Sequence, residues 1–170
     1  MNMTNCSMPN VVMRPAIIDD LPYLENIRQA AFEPVFASFR SILGEEIYAM
    51  AQAHEDEAQG EYLSSLIALE SEWKVYAAEI NRTIVGFVSV QFNQEMKIGE
   101  IGLNAVHPDY AGQGIGTKMY DFAIEKMKQA GMHVATVGTG GDPSHAPARR
   151  AYQKAGFNVQ ISSVWLLQKL

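Results

Sequence analysis

Apolar positions follow one period up to about residue 70 and another from Trp73 onward. Residues 11–17 read as a first strand, which Pro15 either confines to an edge or ends. Asp19 and Asp20 ahead of Leu21-Pro22 mark a helix start, and Leu24, Ile27 and Ala31 continue it at helical spacing to about Phe32. Pro34 is expected to break that helix. Residues 35–69 stay helical in pattern but are interrupted by Gly44 and Gly60, which predicts two or three short helices. From Trp73 the period becomes two. Residues 73–80, 83–92 and 97–106 read as consecutive strands, with turns at Asn81-Arg82 and at residues 93–96. A glycine-rich stretch at 108–116 then opens a helix to about Ala130, with Tyr120, Ala123, Ile124 and Met127 on one face and Gly131 as its stop. Val134–Val137 reads as a short buried strand, and residues 138–142 as a loop. A helix carrying Ala148, Ala151, Tyr152 and Ala155 on one face ends at Gly156, and residues 157–167 alternate as terminal strand material. The order β, helices, βββ, α, β, α, β predicts an α/β chain with a mixed sheet flanked by helices.

A length of 170 residues predicts one domain over residues 11–170, preceded by a disordered tail at 1–10. With 48% hydrophobic and 19% charged residues, the chain reads as a soluble globular protein without a membrane span or signal peptide. Cys6 is the only cysteine, so no intramolecular disulfide forms, and no histidine spacing suggests a metal. A cytoplasmic location follows as the default. Net charge is −6, but eight acids and no basic residue lie between Arg40 and Lys74, leaving the remainder at +2. That pattern argues against a nucleic-acid partner, which needs a basic stripe. The acidic segment fits either a solvated helix face or a surface that meets a cationic small molecule.

Two stretches carry candidate chemistry. In the first, Gly112, Gly114 and Gly116 alternate between a strand end and a helix start. Backbone without Cβ atoms lets a ligand approach the main chain, and free N–H groups with the helix dipole favour phosphate. Spacing excludes a P-loop, because Gly116 is followed by Thr117-Lys118, and excludes the dinucleotide fingerprint, because the run is G-x-G-x-G. In the second, His145-Ala-Pro-Ala148-Arg-Arg-Ala-Tyr152-Gln-Lys154-Ala-Gly156-Phe157, a tyrosine sits one turn before a helix end. Periodicity alone places Tyr152 in the core.

Together the two stretches resemble the GNAT superfamily of acetyl-coenzyme A-dependent N-acetyltransferases. Residues 111–116 are similar to its [QR]-x-x-G-x-[GA] motif, behind a V-x-P lead-in at Val106 and Pro108. Ala148, Tyr152, Lys154, Gly156 and Phe157 match its N-x-x-A-x-x-x-Y-x-K-x-G-F segment. Ala111 stands where the family prefers Gln or Arg, and His145 where it prefers Asn. The resemblance implies a mostly antiparallel sheet of six to seven strands, splayed at the cofactor site and flanked by four to five helices. It implies acetyl-CoA as cosubstrate and no metal. Its phosphates would rest on main-chain N–H groups of Ala111, Gly112, Gln113, Gly114, Ile115, Gly116 and Thr117, its pantetheine beside Val106, with His145 offering a further contact.

The implied reaction is attack of a substrate amine on the thioester, with homodimerisation common in such proteins. The resemblance makes Tyr152 the acid for the departing thiolate and the Val106 N–H the oxyanion donor. Glu100 is either the base that deprotonates the amine or an exposed strand glutamate, and Asn104, expected on the same strand face, orders water between them. Phe32, Phe36, Phe39 and Tyr48 either floor an acceptor pocket or belong to the core. With the acidic segment they favour a small, cationic amine as acceptor. The competing class is a non-catalytic acyl-CoA-binding module.

Overall fold

A computed structural model describes residues 10–170. The tail expected at residues 1–10 and Cys6 lie, Asn10 apart, outside the described residues. Five strands form one sheet in sequence order: β1 (Val12–Pro15), β2 (Lys74–Ile80), β3 (Thr83–Asn93), β4 (Ile98–Val106) and β5 (Val134–Val137). Helices α1 (Leu21–Ala51) and α2 (Ala53–Ile67) cover one face. The opposite face carries α3 (Ile115–Gln129) and α4 (Ala146–Lys154). β1 to β4 are antiparallel neighbours and β5 joins β4 in parallel.

Local chemistry accounts for the central meander. Asn81 and Arg82 both take positive φ, 50° and 67°, the twist that a two-residue hairpin turn needs. At the next turn the Asn93 side chain accepts from Met96 N at 2.9 Å. β1 is an edge strand, as Pro15 requires. Arg14 on it donates to both Asp20 and Glu79, tying the edge to β2 and to the start of α1. Two packed layers result. Leu24, Ile27, Leu63, Leu66 and Phe87 fill the α1/α2 side, while Val88, Ile101, Met119, Met127 and Tyr152 fill the α3/α4 side.

Helix breaks fall differently from the expectation. α1 runs through Pro34 and is kinked instead at Gly44, whose φ of 73° and ψ of 158° leave the helical region. Gly60 lies inside α2, where the lack of a side chain lets Glu25 of α1 approach; a Cβ there would meet Glu25 Oε1 at 3.2 Å. Packing of the two helices thus overrides local propensity. Val134–Val137 forms, but as an edge strand with alternate residues exposed rather than a buried one. Residues 157–167 form no strand, so the sheet has five strands rather than six or seven, with four α-helices among the described residues. The segment pairs with none of the five strands of the sheet, and a strand requires a partner for its backbone groups.

A bulge interrupts β4. Val88 faces Asn104 and Val90 faces Ile101, so Gly102 and Leu103 together oppose the single residue Ser89. Ser89, fully buried, donates its hydroxyl to the Leu103 carbonyl at 3.0 Å. Gly102 has no room for a side chain, since a Cβ would stand 2.4 Å from the Trp73 ring. The extra residue flips the pleat. Gly99 and Ile101 point at α3 and Ala105 at α1/α2, so Asn104 and Val106 join the α3/α4 side that Glu100 leaves behind.

Candidate active site

Pairing of β4 with β5 ends at Ile101 opposite Val137, while β4 continues five residues further. The two strands part there. His107 N bonds Val85 O at 2.8 Å on the β3 side. By antiparallel alternation the N–H and C=O of Val106 and Asn104 point to the other edge, where β5 has departed. The open edge lines a cleft of about 810 Å³ that reaches from the glycine loop to α1 and α2.

At one end, Gly112 and Gly114 take φ of 75° and 79°, a conformation that L side chains rarely adopt. Space beside Gly112 is open. The helical ladder of α3 begins with Lys118 N to Gly114 O at 3.1 Å, so the amides of Ile115, Gly116 and Thr117 precede it and remain as donors at the positive end of the helix. Ala111, Gly112, Gly114, Ile115, Gly116 and Thr117 line the cleft; Gln113 is not among the lining residues. A diphosphate-bearing cosubstrate therefore fits this end by backbone geometry.

Midway stands a cluster of two tyrosines and an amide. Asn104 Nδ2 donates to the Gly102 carbonyl at 2.8 Å and to the Tyr152 hydroxyl at 3.1 Å, while Tyr120 donates to Asn104 Oδ1 at 2.8 Å. The rings of Tyr120 and Tyr152 lie 4.4 Å apart. Burial pushes the Tyr152 hydroxyl above its ordinary value of 10.0, against the downward pull of its bonds to Asn104 and Tyr120. Tyr120 is pushed up as well, by burial first. Both remain protonated at neutral pH. The Tyr152 oxygen accepts from Asn104 Nδ2 at 3.1 Å, and its own proton reaches Asn104 Oδ1 only in a long bond of 3.4 Å that an acceptor in the cleft can replace. Tyr152 is thus both core residue and cleft wall. Asn104 does not share a face with Glu100; the bulge turns it onto the tyrosines.

Beyond β5, Asp142 accepts from Ser144 N at 3.0 Å and from Ser38 of α1 at 2.8 Å, and it bonds the Ser144 hydroxyl and His145 Nδ1. Burial alone would raise its carboxyl, but these bonds hold it below the carboxylate range. A carboxylate on Nδ1 fixes the proton there and turns Nε2 of His145 outward, with the ring stacked 5.9 Å from Phe39. Asp142 thus caps the turn before α4, with Ser144 N–H as its donor, and also orients His145, which lines the cleft.

The α1/α2 end holds Phe32, Gln59, Tyr62 and the exposed Glu100. Burial raises the Tyr62 hydroxyl, and the Glu100 charge adds to it. Gln59 Oε1 is buried with no hydrogen-bond partner. Phe36 and Tyr48 line a separate cavity between α1 and α2, where Tyr48 donates to buried Asp56 at 2.7 Å. Sequence reading did not single out Tyr120, Gln59, Tyr62 and Ser89 for the site. A glycine inside a strand pattern, Gly102, is the signal of a bulge that would have redirected Asn104.

Residues 37–157 match the model of the acetyltransferase (GNAT) family. The chain belongs to that family. A curated relative, an uncharacterised N-acetyltransferase of Methanocaldococcus jannaschii, is 30% identical over 97 residues, 54% of this chain and 42% of its own length. The match thus spans about two-fifths of that relative. Among solved structures, AAC(6')-Iy with a bisubstrate analogue, CoA-S-monomethyl-acetylneamine, superposes with a TM-score of 0.62 at 11% identity, over 94% of this chain and 99% of that one. A GNAT acetyltransferase of Brucella melitensis with acetyl-CoA gives 0.61 at 19% identity, over 88% and 83%. A GNAT-family protein of Desulfovibrio desulfuricans gives 0.66 at 16%, over 89% and 87%. Fold and family of this GNAT chain are those of acetyl-CoA-dependent acyltransferases, and among its described residues no helix is long and apolar enough to cross a membrane.

Proposed function

We propose that the chain transfers the acetyl group of acetyl-CoA to a primary amine of a small, cationic acceptor. The observation that carries this reading is the continuity of one cleft from donor amides at the glycine loop, past the Tyr152 hydroxyl, to hydrogen-bond acceptors at Gln59 and Glu100. Amides of Gly112 and of residues 114–117 hold the diphosphate; that of Ala111, expected among them, is spent on the Pro108 carbonyl at 3.0 Å, and Gln113 does not line the cleft. The open edge at Asn104 and Val106 takes the pantetheine amides as a further strand would, and the Val106 N–H faces the developing oxyanion. His145 adds a contact through Nε2.

Tyr152 offers its proton to the departing thiolate. A thiol near 8.5 is a weaker base than a phenolate above 10, so the hydroxyl acts best as a hydrogen-bond donor rather than by full transfer. Glu100 serves the amine. Four residues along β4, about 13 Å, separate it from Asn104, and the bulge puts the two on opposite faces, so it draws a proton through ordered water. Gln59 Oε1 lacks a donor, which an N–H of the acceptor supplies, with Phe32 and Tyr62 as apolar walls.

The acceptor class comes from the same end of the cleft: Gln59 Oε1 and Glu100 offer an acceptor and an anion there, and seven of the eight acids between Arg40 and Lys74 are exposed, five of them on α1 and α2. Similarity of fold to AAC(6')-Iy, whose analogue joins CoA to an acetylneamine, is consistent with an amine-rich small molecule. Thiol release measured against diamines, polyamines, amino sugars and amino acids tests the reading. Turnover is expected with the polycationic amines. Acetyl-CoA binding by calorimetry with no thiol release from any amine would favour the non-catalytic binding module instead.

A further inference from the structure

His145 stands where the family prefers asparagine, and its surroundings are shaped to an imidazole. Gly140 leaves room for it: a Cβ there would stand 2.4 Å from His145 Nδ1 and 2.7 Å from Asp142 Oδ1. Arg149 of α4 holds the loop by donating to the Gly140 carbonyl and, at 2.9 Å, to that of Asp142. One Asp142 oxygen bonds Nδ1 at 2.5 Å, while Ser38 and Ser144 bond the other. The Ser144 hydroxyl lies 3.3 Å from Nδ1, and Phe39 of α1 stacks on the ring. The side chain still keeps 18% of its surface open, and the residue lines the cleft.

This arrangement reverses the polarity of the position. An asparagine amide offers a donor, whereas a neutral imidazole whose Nδ1 proton is claimed by an ionised carboxylate presents a lone pair at Nε2. Its place suits that lone pair to chemistry. His145 and Tyr152 are seven residues apart, two turns or about 10 Å along α4, and so share a face. Helical side chains lean toward the N-terminus, which brings the phenol back toward the imidazole. On α1, Phe39 follows Phe32 and Val35 at helical spacing, and both of those line the cleft. The imidazole therefore stands where the α4 wall meets the acceptor end.

We propose that His145 is a catalytic base of the acyl transfer, with Asp142 as its positioning residue, a role that rests on the acetyl-transfer reading above. Making an amide from an ammonium removes two protons from nitrogen. The first leaves toward Glu100 before attack and passes to solvent. The amine lone pair then forms the C–N bond at the thioester carbonyl, which leaves nitrogen positively charged. Nε2 takes the second proton as the C–S bond breaks and its electron pair departs on sulfur, hydrogen-bonded by Tyr152. A thiolate is a stronger base than imidazole, so the imidazolium passes its proton to sulfur through cleft water. Coenzyme A leaves as the thiol, and both bases are restored.

His145→Asn, which installs the family's asparagine, separates a base from a contact. Its kcat should fall about tenfold or more, with the calorimetric Kd for acetyl-CoA nearly unchanged. The acid limb of kcat should move to lower pH, since a carboxylate then remains as the only base. Asp142→Asn should show the same split between kcat and Kd. Ring nitrogen NMR of the free protein, at alkaline pH where imidazole is neutral, should find Nδ1 protonated and Nε2 bare, with that preference lost in Asp142→Asn. Should His145→Asn fail to fold, His145→Gln takes its place with the same expectations. Full kcat with an unaltered pH profile overturns the proposal, as does a ring protonated at Nε2 alone. Equal losses in kcat and Kd also overturn it and reduce His145 to a cosubstrate contact. A wild-type chain that binds acetyl-CoA but acetylates no amine removes the transfer reading and this role together, whereas the other outcomes leave that reading standing.

Discussion

The Tyr152 hydroxyl is held by Asn104, with Tyr120 beside it. Asn104 donates to its oxygen and accepts from Tyr120, so the direction of the Tyr152 proton is set by a side chain that bonds both rings. Removing the hydroxyl alone should leave cosubstrate binding intact, since the phosphate donors belong to the backbone. Tyr152→Phe is therefore expected to lower kcat roughly tenfold or more, with the calorimetric Kd for acetyl-CoA nearly unchanged. Equal losses in both would remove the role. The raised hydroxyl also fixes the alkaline behaviour. A donor whose loss of proton is pushed above its ordinary 10.0 stays competent through that range, so kcat should show no alkaline limb from this group below about pH 10. Asn104→Ala leaves two buried hydroxyls short of a partner, and unfolding titrations should find it about 1–3 kcal/mol less stable.

At the level of elements, the β2–β4 meander was legible because each signal was local: period-two alternation, and side chains suited to the turns at Asn81-Arg82 and Asn93. The glycine loop was legible for the same reason. What escaped was decided by contacts distant in sequence. Pro34 and Gly60 sit inside helices because α1 and α2 pack on each other and on the sheet. The face of Asn104 escaped because alternation in Ile98–Val106 looks unbroken, while the bulge depends on Ser89 and Trp73 from other segments. Those two residues hold the geometry that aims Asn104 at Tyr152. Ser89→Ala would strand the Leu103 carbonyl in the core at a cost of about 1–3 kcal/mol. Relaxation of the bulge should also show as a higher KM for acetyl-CoA, because the open edge at Asn104 and Val106 begins there. A loss of stability with KM unchanged would assign Ser89 to the core alone.

Across the whole molecule, charge and acid response divide along the cleft. The loop beside α4 is organised around ionised Asp142, which burial would protonate but for its bonds to Ser144, Ser38 and His145. A carboxyl depressed below its ordinary 3.8 contributes stability that is complete above that value and is lost as pH falls toward the lower folded one. Asp20, depressed first by its bond to Arg14, behaves alike at the β1 edge. Melting temperature should therefore hold from pH 7 to about 5 and fall below about 4, less steeply in Asp142→Asn. The opposite wall answers to salt rather than acid. Exposed acids of α1 and α2, together with Glu100, make a negative field that is screened beyond about 8–10 Å at physiological ionic strength. A polycationic amine drawn in by that field should lose kcat/KM steeply as salt rises, as steered encounters do, whereas an amine of single charge loses less. If the two respond to salt alike, the acidic helices are only a solvated face, and the acceptor is selected by Gln59 and the apolar walls instead.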